Sequence, residues 1–204
     1  MQRIWHPFEM SCRNFFDGLP EDGPESKKRS EMIDEAYPGG FCQVESVSGH
    51  SPGVVAGNEF LHRFVFSPIH IDEKGELTAA FFADCATFGL SCQRSDVDVP
   101  DAETNEIGAA MIESFNANRA PEKPERSYLG VVTAKCDDVR MLRTIETGVT
   151  PYDQAVMAVY DTSLADNTRH ADVFQFVPAG VERSKLKQIR RDLALVFTRS
   201  PRYA

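Results

Sequence analysis

The sequence predicts a single α+β domain built on a mixed β-sheet, and three observations lead there. Tyr128–Ala134 and Ala155–Tyr160 are near-continuous apolar runs, the pattern of central strands buried on both faces. Val181–Phe197 places Leu186, Ile189, Leu193, Val196 and Phe197 on one side of a helix and its basic residues on the other. The segments follow the order strand, helix, helix, strand, strand, helix, which points to α+β. At 204 residues the chain suits one domain with a sizeable core. In that layout 1–16 is a docked N-terminal segment, 17–40 a polar surface excursion and 41–204 the main body.

Each element has a local reason. Residues 1–16 hold Ile4, Trp5, Phe8, Met10, Phe15 and Phe16, too apolar for a free tail. Residues 17–40 gather Gly18, Pro20, Gly23, Pro24, Pro38, Gly39 and Gly40 around a charged run, with one short helix over Ser30–Ala36. Phe41–Val47 alternates in the manner of a strand, and Gly49–Gly53 breaks it. Phe60–Phe66 is a stronger strand, with Phe60, His62, Phe64 and Phe66 on one face and Leu61, Arg63 and Val65 on the other. Pro68 ends it, and Asp72-Glu73-Lys74-Gly75 has turn chemistry. Thr78 caps an expected helix through Phe88, which Gly89 stops. Ala102–Asn118 is a second helix with Ile107, Ala110, Met111, Ser114 and Phe115 along one stripe. Pro121 and Pro124 mark a loop, and Val173–Val177 is a further strand.

Charge is unevenly distributed. The chain carries a formal net charge of −9, yet Val181–Ala204 has seven basic and two acidic residues, a net of +5. The other 180 residues therefore hold −14. An acidic body repels nucleic-acid phosphate, so a nucleic acid is expected only through the last helix. The longest purely apolar run, Ala79–Ala83, is far short of the roughly 20 residues that span a bilayer. The first residues lack the apolar core of a secretory signal, so a cytoplasmic protein with five reduced cysteines is expected.

Gly49-His50-Ser51-Pro52-Gly53 matches the G-x-S-x-G nucleophile elbow and is similar in that respect to the elbow of α/β-hydrolases, with Asp161 and His170 following in chain order. Pro52 has no backbone N–H to give an oxyanion, which counts against a serine hydrolase at Ser51. His70-Ile71-Asp72 with His170 has the composition of a facial-triad metal site, although only 34 residues follow His170 to complete a barrel. The cysteines include no C-x-x-C pair, and a carboxylate beside Cys85 disfavours its thiolate.

A nucleotide reading joins Arg63, Ser91 and His170. A strand arginine grips a phosphate bidentately, a serine orients a ribose hydroxyl and a histidine sits in the polar loop near Asn167. That set implies an NAD-handling enzyme for ADP-ribosyl transfer or NAD hydrolysis; such chemistry also needs a Glu to stabilise an oxocarbenium-like transition state, for which Glu146 is only a candidate. No G-x-G-x-x-G or Walker sequence accompanies it. No cofactor follows from the residues alone. Lys185, Lys187, Arg190 and Arg191 oppose the apolar stripe of the last helix and suit an acidic partner, RNA or an anionic membrane surface, although a solvated amphipathic helix packed on its own domain has the same pattern. Because every catalytic constellation lacks a part, a non-catalytic interaction or accessory module is the leading expectation.

Overall fold

The computed structural model describes residues 10–20, 28–143, 155–176 and 183–199. Its order opens with α1 (Cys12–Asp17), α2 (Arg29–Ala36), a 3-10 segment over Pro38–Val44 and β1 (Phe60–Ser67). A second 3-10 segment over Ala79–Ala86, β2 (Leu90–Ser95), α3 (Ala102–Ala117) and β3 (Ser127–Lys135) follow. The chain continues through α4 (Cys136–Arg140), β4 (Met157–Tyr160), β5 (His170–Gln175), α5 (Arg183–Val196) and the short β6 (Thr198–Arg199).

The α+β expectation holds, but the sheet is not mixed. Six strands lie in the order β4-β5-β2-β1-β3-β6, and every described pairing is antiparallel. The connection through α3 explains this. It joins β2 to β3, which run parallel to each other, but β1 lies between them and pairs antiparallel with both. The helical crossover therefore creates no parallel ladder.

One face of the sheet buries the main core. Leu61, Val65, Leu90, Cys92, Val132, Val159 and Val173 meet Phe81, Phe82 and Cys85 of the second 3-10 segment and Ile189 and Leu193 of α5. The opposite face has two separate covers. Ala158, Tyr160 and Phe174 on β4 and β5 lie under Cys12, Phe16, Ile33, Tyr37 and Cys42. Phe64, Phe66 and Val131 on β1 and β3 lie under Ile112 of α3. Gly108 lets α3 approach closely: a Cβ there would stand 2.6 Å from the Tyr128 ring. The strand between the two covers is β2.

Three local expectations are corrected. Phe41–Val47 is not a strand, because Pro38 starts a 3-10 segment and Gly39 and Gly40 take φ of 68° and 78°. Residues 79–86 form 3-10 turns rather than an α-helix, and the Thr78 side chain makes no capping bond. The five cysteines are not all reduced: α1 packs against the first 3-10 segment, brings the Cα atoms of Cys12 and Cys42 to 5.6 Å, and the pair is a disulfide. Cys85, Cys92 and Cys136 are buried thiols, pushed up by burial to about 12, 12 and 11. Ile4, Trp5 and Phe8 lie outside the described residues, while Met10 accepts a 2.5 Å hydrogen bond from the Tyr37 hydroxyl. Among the described residues no helix is long and apolar enough to cross a membrane.

Candidate functional site

Strand register decides which polar side chains meet. Thr133, His62, Gln93 and His170 are direct cross-strand neighbours across β3, β1, β2 and β5, so they form a polar row on the face that carries the two covers. His62 is fully buried with its Nδ1 2.9 Å from Thr133 Oγ1, and burial holds it below the usual histidine range, hence neutral. In the next row Asp172 of β5 stands between Ser91 of β2 and Tyr160 of β4.

A hydrogen-bond network is organised around Asp172. Ser91 Oγ donates to Asp172 Oδ1 at 3.1 Å, and Thr162 Oγ1 donates to Oδ2 at 2.9 Å. His170 Nδ1 lies 2.9 Å from the Thr162 carbonyl oxygen. A carbonyl only accepts, so Nδ1 carries a proton, and when the ring is neutral Nε2 keeps a lone pair. That Nε2 stands 3.9 Å from Asp172 Oδ1. The side chains of His170 and Asp172 are 16% and 8% exposed, so solvent reaches the edge of the network.

Of the three residues assigned to a nucleotide site, the structure brings Ser91 and His170 together and leaves Arg63 apart. Arg63 neighbours Val132 and projects into the opposite face, with its guanidinium over the Phe81 ring. It donates to the Ser91 carbonyl at 3.1 Å and to Asp84 at 3.2 Å. Glu146 lies outside the described residues.

The elbow residues are occupied locally. Ser51 Oγ donates to the Gly53 carbonyl and accepts from the Gly53 N–H, both at 2.9 Å. Asp161 is buried and receives the Val47 N–H and the Ser46 hydroxyl, each at 2.8 Å. Among the described residues no strand precedes the turn, since Pro38–Val44 is 3-10. The metal reading fares no better. His70 Nδ1 accepts the Phe66 N–H, Asp72 Oδ1 receives the N–H groups of Lys74 and Glu76, and His170 is held by Thr162. Among the described residues no three His, Cys, Asp or Glu side chains converge. A surface cavity of about 600 Å³ is lined by Ser67, Pro68, Ile71, Asp72, Glu73 and Lys74, and shares none of its lining with the Asp172 network.

On α5, Ile189 and Leu193 are buried, Arg190 is half-buried, and Lys187, Arg191 and Leu195 are exposed. The side chains at 183–186, Lys185 among them, lie outside the described residues.

Sequence reasoning missed Asp172 and Thr162. The period of two along His170, Asp172 and Phe174 was the available signal for Asp172, because those residues share one face of β5. Thr162 sits in the loop after β4 and joins only through tertiary contact. Comparison with protein families, with curated proteins and with solved structures yields no match to this chain.

Proposed function

We propose that the protein is a non-catalytic interaction module that binds an acidic protein partner through the outer face of α5. The observation that carries this reading is the stripe of Lys187, Arg191 and Leu195. They stand four residues apart on the side turned away from the core, and Leu195 is 81% exposed. Burying such a leucine on a partner contributes about 1.5–3 kcal/mol, and the two cations that precede it on the same face favour an acidic surface and speed encounter. The NAD-handling alternative keeps Ser91 and His170 but loses its phosphate grip, because Arg63 lies on the other face.

The test is quantitative co-purification from native cell extract with the wild-type chain, Lys187→Glu/Arg191→Glu and Leu195→Ser. Acidic proteins retained by the wild type and lost from both variants support the reading. Equal retention by all three overturns it.

A further inference from the structure

Two hydrogen-bond acceptors face each other beside β2 with no donor between them. Nδ1 of His170 gives its proton to the Thr162 carbonyl, so Nε2 is a bare lone pair in the neutral ring. Asp172 Oδ1 lies 3.9 Å away and already receives the Ser91 hydroxyl proton. With its proton committed, Ser91 Oγ adds a third set of free lone pairs.

The carboxylate is also short of positive charge. Asp172 is nearly buried, and among the described residues His170 is the one basic group within ion-pair distance of it. Its other oxygen is taken by the Thr162 hydroxyl, so with the His170 ring in its neutral form both oxygens have neutral donors only. A carboxylate held out of water is costly until a cation joins it. What this set of acceptors calls for is one group with several N–H donors and a positive charge.

We infer that Asp172 Oδ1, His170 Nε2 and Ser91 Oγ form a receptor for the primary ammonium group of a small molecule. An –NH3+ group has three donors and no acceptor, and Asp172 Oδ1 has Ser91 Oγ at 3.1 Å and His170 Nε2 at 3.9 Å, three acceptors of which one is anionic. A guanidinium is planar and lacks that tripod arrangement. The site lies between the cover formed by Cys12, Phe16, Ile33, Tyr37 and Cys42 and that formed by α3, on the sheet face opposite α5. It is therefore independent of the proposed partner surface.

The test uses the full chain and methylammonium chloride as probe, with tetramethylammonium and sodium chlorides at equal ionic strength. Tetramethylammonium has the charge without N–H donors. The expected result is a dose-dependent rise in melting temperature and a shift of the His170 ring signals with methylammonium alone. Asp172→Asn weakens the response more than about tenfold, and Ser91→Ala, which leaves the charge in place, weakens it about three- to tenfold. Circular dichroism establishes that each variant is folded; should Asp172→Asn not fold, Ser91→Ala decides. Equal responses to the three salts overturn the proposal, as does an unchanged response in Ser91→Ala. A nitrogen-15 spectrum at neutral pH that finds Nε2 protonated overturns it too, because the imidazolium would then itself supply Asp172 with a cation.

Discussion

Arg94 of β2 grips Glu59 with both arms of its guanidinium, Nε to Oε2 and Nη2 to Oε1, each at 2.7 Å. The same guanidinium donates to the carbonyls of Gly53 at 2.6 Å and Val54 at 2.9 Å, tying the loop before β1 to the centre of the sheet. Burial raises the Glu59 carboxyl, but hydrogen bonds from Arg94 and Ala56 and the Arg94 charge outweigh it and hold the group below its usual range. The two side chains are only 7% and 14% exposed, so removing one partner strands a charge. Arg94→Ala is expected to lose about 3–5 kcal/mol in urea unfolding. Arg94→Lys also loses stability, because an ammonium cannot reproduce the two-armed grip. A double replacement of Arg94 and Glu59 by apolar residues loses less than Arg94→Ala alone.

The disulfide gives a countable result. With iodine-free thiol titration by an aromatic disulfide reagent, the native protein should show no reactive thiol, since Cys85, Cys92 and Cys136 are buried and poorly ionised. Unfolding without reductant exposes three thiols, and unfolding with reductant exposes all five. Replacing Cys12 and Cys42 by serine frees a 30-residue separation in the unfolded chain and is expected to cost about 2–4 kcal/mol.

His70 sets a pH dependence. Burial, with smaller contributions from the charges of Arg63 and Arg126, lowers it to about 4. The unfolded residue titrates near pH 6.5, so in between the unfolded chain binds more protons than the folded one. The contribution to stability is therefore complete above about pH 6.5 and falls as the pH drops toward 4. His70→Asn, whose side-chain oxygen can still accept the Phe66 N–H, should flatten the slope of unfolding free energy across that window.

Gly108 reverses the ordinary propensity rule. Alanine is the better helix former by about 1 kcal/mol, yet a Cβ at 108 would meet the Tyr128 ring at 2.6 Å and Phe64 at 3.0 Å. Gly108→Ala is expected to destabilise by about 1–3 kcal/mol in thermal unfolding, whereas the same change on the exposed face of α3 would stabilise.

Much of the architecture was legible because periodicity survives in a single chain. The alternation of Phe60–Phe66, the apolar run at Tyr128–Ala134 and the stripe of Ile189 and Leu193 each report a buried face directly. β2 was not legible. Leu-Ser-Cys-Gln-Arg-Ser has no apolar period, and it is a central strand because β1 and β5 pair with it on either side and Glu59 neutralises Arg94. Pro38–Val44 misled for the opposite reason: its alternation resembles a strand, but glycines at positive φ curl the backbone.

By itself the sequence determined the α+β class, the long helices, the strands with clear periodicity and the charge division between the body and the last helix. Those follow from interactions between residues near one another along the chain, or from sums over it. The antiparallel order of the sheet, the pairing of Cys12 with Cys42, and the meeting of Ser91 with His170 on Asp172 while Arg63 faces the other way were decided only in the tertiary structure. Each depends on strand register and on which cover lies over which half of the sheet. A shift of one residue in register carries a side chain to the opposite face, and spacing along the chain contains no measure of that.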